Sequence, residues 1–221
     1  MQIFSEKIQD ILVNAEKYHE TYYAQVRFRG PSLYFHHRAI STRESADFIT
    51  HLEYVYAALA SWGMHRMGPG GSKMVPFQTF QESIETIREQ IKTALYINPL
   101  EIRDEDWLLL RDIFEGIKVM ASNVSLIGNS KAMHHMMPNI APPIDRRYTL
   151  HFLYGNTNIK VNLNREWEIM KEIISGFYIP VAGNSEFSAL ARNWMQNQNE
   201  FPWDTTVFKI IDNLIVGSRV D

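Results

Sequence analysis

The chain has 221 residues, of which 45% are hydrophobic and 12% aromatic, and this is ample apolar material for a packed core. It contains no cysteine, which excludes disulfides, thiolate catalysis and metal sites built on sulfur. The formal net charge of −3 argues against a protein that coats nucleic acid non-specifically. No apolar run approaches the length of a membrane span, and the N-terminal segment lacks a signal peptide's apolar core. We therefore expect a cytoplasmic protein with no membrane partner.

Three helices are predicted in the first half of the chain. Residues 3–26 place apolar side chains at steps of three, four and seven, which is the stripe of a long amphipathic helix. A second helix has Ser41 and Glu44 in capping-box spacing at its start and Gly63 at its end. A third follows Pro76 with a nearly continuous apolar stripe.

Helical patterns continue through the second half. The predicted helices there cover residues 105–122, 130–137, 146–154, 164–178, 185–197 and 204–216. The last is interpreted as a closing helix with Asp212 and Asn213 on a polar face. Only NTNIKVNL, residues 156–163, alternates like a strand, and one short strand cannot make a sheet.

These patterns predict an all-α fold. We expect a single compact domain of eight or nine helices over residues 1–221, because the connections are short and no repeat or flexible linker interrupts them. If the domain has two lobes, their boundary is expected near residues 67–73 or 98–103, where helix stop signals coincide with a change in polarity.

The segment SLIGNSKAMHHMMPNIAPPIDRRYT, residues 125–149, is the densest set of candidate functional residues. A helix predicted to begin near Ser130 leaves free backbone N–H groups after Gly128, with Lys131 on the first turn, and such a helix start can hold a phosphate. Asp145 begins the next predicted helix, where the helix dipole favours an ionised carboxylate. The plainer interpretation is that Asp145 is only an N-cap, Lys131 is solvated and the prolines shape a corner.

A helix, a glycine-containing turn followed by a lysine, a second helix and a Pro-rich turn ending in an aspartate follow one another over about residues 117–155. This order resembles the helix-hairpin-helix Gly-Pro-Asp superfamily of DNA glycosylases. The resemblance implies the glycosylase helical fold, a hairpin glycine that approaches a DNA phosphate, Lys131 as the Schiff-base residue and Asp145 as the residue that activates the attacking group. The chain has Gly128 alone where the superfamily usually has two glycines, and a shorter interval from Lys131 to Asp145.

A second candidate segment is SWGMHRMGPGGSKM, residues 61–74, which contains no acid. Its glycines and cations, including Arg66, could hold an anion. The alternative is a plain connection between helices with Trp62 as a core anchor. SWGMHRMG, SKMVPF and SKAMHHMMPNIAPPIDRRYT also resemble a family of uncharacterised prokaryotic proteins, and this likeness implies no activity.

Two histidine pairs and an arginine-rich segment complete the candidates. Adjacent residues of a helix point in different directions, so neither His36 with His37 nor His134 with His135 is expected to bind one metal ion, and no cofactor is predicted. RFRGPSLYFHHR, residues 27–38, mixes cations with aromatic rings and could follow a nucleic acid strand. Its alternative is a surface loop whose aromatic rings tuck under the first helix.

Three functions remain open, and the sequence leaves the oligomeric state undecided. The first is lesion binding or base excision on duplex DNA; the second is a non-enzymatic helical interaction protein; the third is a small-molecule enzyme that uses Lys131 and Asp145. For the first, Lys131 and Asp145 are the predicted catalytic residues. The predicted DNA contacts are Gly128, Asn129, Ser130, Arg146, Arg147, Arg66 and Arg38, and the predicted pocket residues are Trp62, His65 and Tyr148.

Overall fold

The structure of the protein is a computed structural model that describes residues 4–26, 30–65, 67–68, 71–158 and 162–219. Regular structure within these ranges is helical, apart from one short hairpin and a single bridge between Met74 and Met120. The strands of the hairpin, β1 (Met67–Gly68) and β2 (Gly71–Ser72), pair antiparallel. The predicted all-α class is confirmed. The strand predicted over 156–163 lies partly outside the described residues, at 159–161.

The α-helices are α1 (Ser5–Val13), α2 (Ala15–Gln25), α3 (Pro31–Thr42), α4 (Phe48–Leu59), α5 (Phe77–Glu85), α6 (Arg88–Ala94), α7 (Asp104–Gly116), α8 (Leu126–Met136), α9 (His151–Tyr154), α10 (Leu163–Ile173), α11 (Ile179–Ala182), α12 (Ser185–Gln196) and α13 (Val207–Gly217). Three π turns extend them: Ala60–Met64 follows α4, Arg146–Leu150 leads into α9, and Ile174–Tyr178 joins α10 to α11. When α10 and α11 are counted as one uninterrupted helix, the described residues form twelve helices, so the predicted number was too low.

Local side-chain chemistry explains the additional helices. The helix predicted over residues 3–26 is divided into α1 and α2, because the Asn14 amide between them bonds to the carbonyl oxygen of Asp10 and competes with the helical pattern. Helix α3 occupies most of the arginine-rich segment that was interpreted as a surface loop. It begins at Pro31, whose fixed φ and missing N–H suit the first helical position.

Several helices begin at other residues than predicted, because another side chain supplies the cap. Helix α4 begins after Asp47, whose carboxylate accepts the N–H of Thr50 at 3.1 Å, and not at Ser41. Helix α8 begins at Leu126, one turn before the predicted start near Ser130. Three later helices are predicted to begin at residues 164, 185 and 204, with Asn164, Ser185 and Asp204 as the expected caps, and the structure caps them with Asn162, Asn184 and Thr206 instead.

Two buried helices form the centre of the fold. Helix α8 packs against α3, α4, α7 and α10, and α13 packs against α1, α2, α11 and α12. Gly217 permits the close approach of α13 to α2, since a Cβ at that position would lie 2.0 Å from the carbonyl oxygen of Tyr18. Both central helices carry buried polar side chains, among them Lys131 on α8 and Lys209 on α13. Among the described helices, none is long and apolar enough to span a membrane.

Candidate functional site

The two predicted catalytic residues form an ion pair. Lys131 lies in α8 and Asp145 directly precedes the π turn that leads into α9, and Lys131 Nζ lies 3.1 Å from Asp145 Oδ2. The lysine side chain is 9% exposed and the aspartate side chain 33%. The pair is therefore closed on the lysine side and open to solvent on the aspartate side.

Asp145 caps a helix and pairs with a lysine at the same time. Its Oδ1 accepts the backbone N–H groups of Arg147 at 2.8 Å and Tyr148 at 3.4 Å, while Oδ2 accepts from Lys131. Burial raises the pKa of the Asp145 carboxyl, but the Lys131 charge and these hydrogen bonds outweigh burial and bring the pKa below its ordinary value. The carboxylate is thus ionised at neutral pH. The plainer interpretation correctly identifies the cap, whereas Lys131 is buried and not solvated.

The start of α8 is occupied by another part of the chain. The N–H groups of Ser125 and Leu126 donate to Glu166 Oε2 at 2.7 and 2.5 Å, and Glu166 is fully buried. Its carboxylate therefore takes the place predicted for a phosphate. Three predicted phosphate contacts lie inside α8 and are buried: Gly128, Asn129 and Ser130. A DNA phosphate could reach them only if this helix start opened.

Gly128 and Asn129 instead hold α8 against the segment that follows α7. A Cβ at Gly128 would lie 2.8 Å from Met120 Cγ, so only glycine fits without displacing that side chain. The Asn129 amide donates to the carbonyl oxygens of Phe114 and Ile117 at 2.8 and 3.1 Å. These contacts fix α8, and with it Lys131, relative to the end of α7.

The predicted cations have different surroundings. Arg146 and Arg147 are exposed beside Asp145. The Arg147 guanidinium lies 5.5 Å from the Tyr148 ring centre. Arg38 is also exposed, but its guanidinium stacks 4.8 Å from the Tyr54 ring centre and donates to the Tyr54 hydroxyl. Arg66 is outside the described residues.

The three predicted pocket residues are not brought together. Tyr148 is half-buried, and its backbone N–H donates to the Asp145 carboxylate. Trp62 is half-buried among the rings of His135 and Trp203, at centroid distances of 4.7 and 6.2 Å. His65 is exposed at the end of the π turn that follows α4, where its ring nitrogen contacts the Ala60 carbonyl.

A second buried lysine, not predicted as functional, lies on α13. Lys209 Nζ donates to Asp212 Oδ2 at 2.8 Å and to Asn213 Oδ1 at 2.5 Å, and the Lys209 and Asp212 side chains are 5% and 10% exposed. The ammonium lies 5.5 Å from the Trp203 ring centre and 5.8 Å from that of Trp62. The expectation that Asp212 and Asn213 form a polar outer face is therefore wrong, because both are buried.

The two lysine–aspartate pairs interact electrostatically. Burial raises the pKa of the Asp212 carboxyl, the positive charge of Lys209 lowers it, and the net shift is upward. The charges of Lys131 and Asp145 act on the same carboxyl in opposite directions. The ionisation of one pair is therefore coupled to that of the other.

The predicted histidine pairs meet across helices. His36 Nδ1 lies 3.2 Å from His135 Nε2, and His36, His134 and His135 are fully buried. Burial lowers the pKa of all three rings, and that of His135 falls to about 4. Within the part of the chain that the structure describes, no group of three suitable side chains could hold a metal ion. The three rings are neutral at neutral pH.

Asp204 joins distant elements through three hydrogen bonds. It is fully buried and accepts from His19 at 2.7 Å, from the Tyr23 hydroxyl at 3.0 Å and from the Asn213 amide at 2.9 Å. A sequence signal for this buried polar network exists in FKIIDNLIV. There Lys209, Asp212 and Asn213 interrupt an apolar helix at positions i, i+3 and i+4.

A surface depression lies elsewhere, lined by Arg43, Glu44, Ala94, Leu95, Ile97, Met137, Pro138, Asn139 and Ile140. Neither lysine–aspartate pair lines this depression. The candidate site is therefore defined by Lys131 and Asp145 and not by the depression. At Lys131 and Asp145, an amine beside an ionised carboxylate can act as a nucleophile once the carboxylate or water has taken its proton.

In comparisons with known proteins, the chain matched no family model, no curated protein and no solved structure.

Proposed function

We propose that the protein recognises a lesion in duplex DNA and breaks the N-glycosidic bond of the damaged nucleotide, with Lys131 and Asp145 at the reacting centre. The observation that carries this proposal is the 3.1 Å contact between Lys131 Nζ and Asp145 Oδ2, formed by residues 14 positions apart. It joins the two side chains that the resemblance to DNA glycosylases assigns to catalysis.

The proposed chemistry uses Asp145 in the ionised state that its surroundings favour, and it requires Lys131 to lose one proton before it reacts. Asp145, held ionised, stabilises the positive charge that develops on the sugar as the base departs. Lys131 loses a proton to water, which leaves Asp145 ionised, and the Lys131 nitrogen forms a bond to the anomeric carbon as the bond to the base breaks. The base leaves and takes up a second proton, which the Lys131 nitrogen releases after its attack. Opening of the sugar ring then gives a Schiff base with no further loss of atoms.

The surroundings of the pair support a nucleic acid substrate. Arg146 and Arg147 are exposed next to Asp145 and supply local positive charge on a chain whose net charge is −3. Aromatic rings that could flank an extruded base lie near the other lysine, where Trp62 and Trp203 are 6.2 Å apart. The proposal therefore requires the polar interior between α8 and α13 to open toward the DNA.

The buried start of α8 favours a second candidate. Since Glu166 already occupies the helix N-terminus, the phosphate contact expected of a glycosylase hairpin is closed. A small carbonyl compound needs no such contact and could form the same Schiff base with Lys131. In that case the protein would be an enzyme of small-molecule metabolism.

The first test is borohydride trapping on a duplex that contains one abasic site, combined with fluorescence anisotropy on that duplex and on an undamaged one at two salt concentrations. We expect tighter, salt-sensitive binding to the damaged duplex and a trapped covalent adduct. Lys131→Ala should abolish the adduct. Lys92→Ala is the matched control, because Lys92 is an exposed lysine that also pairs with an acid, Glu89.

The outcomes separate the candidates. An adduct that persists in Lys131→Ala, or wild-type protein that gives no adduct and no preference for the lesion, would overturn the DNA proposal. Borohydride trapping of small aldehydes and keto acids by wild-type protein, lost in Lys131→Ala, would then support the second candidate.

A further inference from the structure

A continuous chain of hydrogen bonds links α13, α3 and α8. The Thr205 hydroxyl, just before α13, lies 2.9 Å from His36 Nε2 on α3. His36 Nδ1 lies 3.2 Å from His135 Nε2 on α8, and His135 Nδ1 lies 2.8 Å from the carbonyl oxygen of Lys131. We call Thr205, His36, His135 and the Lys131 carbonyl the histidine relay.

The direction of every bond in the histidine relay follows from its last member. The Lys131 carbonyl can only accept, so His135 Nδ1 carries a hydrogen. In a neutral ring the other nitrogen then has none, and His135 Nε2 accepts from His36 Nδ1. By the same reasoning His36 Nε2 is an acceptor, and the Thr205 hydroxyl donates to it.

The neutral state on which these directions depend is favoured by the surroundings. Both rings are fully buried; Lys209 on α13 acts electrostatically on His36 and His135, and Lys131 on α8 acts on His135. The other titratable groups that act on them are histidines: His37 on α3, His51 on α4 and His134 on α8. A second proton on His135 would also place its Nε2–H against the Nδ1–H of His36.

Lys131 is held at two points, and its neighbour Ser130 provides a third. Its carbonyl oxygen accepts from His135, and its ammonium donates to Asp145. Between them, the neighbouring Ser130 hydroxyl accepts the N–H of Ile144 at 3.2 Å, which ties α8 to the residue before Asp145. The histidine relay supplies the first of these points and connects it to the segment in front of α13.

We propose that His36 and His135 are positioning residues, which hold the main chain of Lys131 so that its amine meets the Asp145 carboxylate. The catalytic purpose of this arrangement rests on the proposed function, whereas the relay itself does not. Residues that orient metal ligands from behind alter metal affinity or activity about 10- to 100-fold when removed, and we expect an effect near the lower end of that range for this amine.

The first test measures tautomers directly. In protein with ¹⁵N-labelled histidine, long-range ¹H–¹⁵N correlation spectra at neutral pH should show hydrogen on Nδ1 and a bare Nε2 for both His36 and His135. A bare Nδ1 on either ring, or two protonated nitrogens on either, would contradict the relay. This measurement needs neither DNA nor enzymatic activity.

The second test measures the reactivity of the Lys131 amine. Reductive methylation with formaldehyde and cyanoborohydride, followed by peptide mass spectrometry, should show Lys131 labelled about 10-fold faster in His36→Phe than in wild type. His36→Asn restores an amide N–H near the position of Nδ1 and should recover much of the protection. His37→Phe is the matched control, because His37 bonds to the Pro202 carbonyl outside the relay.

Each result has a definite meaning. Equal labelling of Lys131 in His36→Phe and wild type overturns the positioning role, as does failure of His36→Asn to recover protection. If His36→Phe does not fold, Thr205→Val removes the first donor at nearly constant volume, and faster labelling is again expected. If labelling follows the prediction while wild type forms no adduct with DNA, the relay stands and the proposed function fails.

Discussion

The two lysine–aspartate pairs consist of the same side chains, but the pKa of the aspartate is raised in one pair and lowered in the other. In the pair on α13, Asp212 is three residues from Lys209 on one helix, and burial raises the pKa of its carboxyl. In the other pair, Asp145 comes from a separate element and its carboxyl has a lowered pKa. The difference lies in the additional donors, because Asp145 accepts two backbone N–H groups besides the lysine and is partly solvated.

Under the proposed function, the same type of residue pair serves a reaction in one place and structure in the other. A carboxylate with several donors and a solvent-facing side keeps its charge and can be approached. A carboxylate enclosed with its lysine contributes little net stability, because desolvation of both ions offsets their attraction. Removing one partner of the enclosed pair is nevertheless costly, since the other charge stays buried. Four predictions test the contrast, from the largest expected effect to the smallest.

Asp145→Asn should separate catalysis from stability most strongly. Asparagine retains a cap oxygen for the start of α9 but has no charge, so the rate of adduct formation should fall by about 10²- to 10⁴-fold. The free energy of unfolding should also fall, because the Lys131 charge stays buried without its carboxylate, but by less than the roughly 3–5 kcal/mol expected for a fully enclosed pair, since Asp145 is partly solvated. Trapping kinetics and denaturant unfolding measure the two effects. A variant that loses several kcal/mol of stability would show that Asp145 is chiefly structural.

Lys209→Ala should lower the stability of the fold more strongly than Asp145→Asn does. It leaves the Asp212 carboxyl buried without its cation and should cost about 3–5 kcal/mol in the free energy of unfolding, measured by chemical denaturation. The double variant Lys209→Met with Asp212→Leu removes both charges and should recover most of that loss. A double variant as unstable as the single one would contradict the desolvation argument.

The buried histidines should make the protein sensitive to acid. The pKa of His135 is lowered to about 4 by burial, against about 6.5 in an unfolded chain. A lowered folded pKa means that this stability is fully present above pH 6.5 and is lost as pH falls toward 4. Each such ring adds up to about 1.4 kcal/mol per pH unit to the slope.

Denaturation midpoints measured between pH 7 and 4 test this slope. His135→Phe should reduce it relative to wild type. An unaltered slope in His135→Phe would mean that this ring is not held neutral by the fold.

Arg146→Ala should have the smallest effect, and it tests whether the open side of the Asp145 pair faces DNA. Loss of one phosphate contact should reduce the slope of log affinity against log salt by about one for a lesion duplex, and Arg147→Ala should act alike. Arg192→Ala, an exposed arginine on α12, is the control. Identical salt slopes in all three variants and wild type would place the DNA surface elsewhere.

The sequence predicts those parts of the site that depend on local order. The sequence leaves open whether Lys131, which lies in the middle of α8, contacts Asp145; only the proline-rich turn between them could be anticipated from helix signals. The residue at which α8 begins could not be predicted, because its start is fixed by the carboxylate of Glu166, which belongs to a later helix. A capping residue that arrives from another helix leaves no signal beside the helix it caps.

The unpredicted part of the site depends on contacts between distant segments. The contact between His36 and His135 joins residues 99 positions apart, and that between His19 and Asp204 joins residues 185 apart. In the sequence, His36 and His135 each belong to a pair of neighbouring histidines with no evident common partner, and His19 stands alone. Tertiary packing buries His36 but leaves His37 half-buried, and it buries both His134 and His135, and helical periodicity alone does not indicate this outcome.

The Glu166 cap also bears on how the site forms during folding. The N–H groups that donate to this cap lie 40 and 41 positions before Glu166 in the chain. The histidine relay is complete only when Thr205, 169 positions after His36, has reached the His36 ring. Closing such long loops has an entropic cost that slows their formation. During synthesis, α8 therefore emerges with its first donors unsatisfied and Lys131 unrestrained. We expect the reactive pair to reach its final geometry among the last events of folding, after the C-terminal helices have docked.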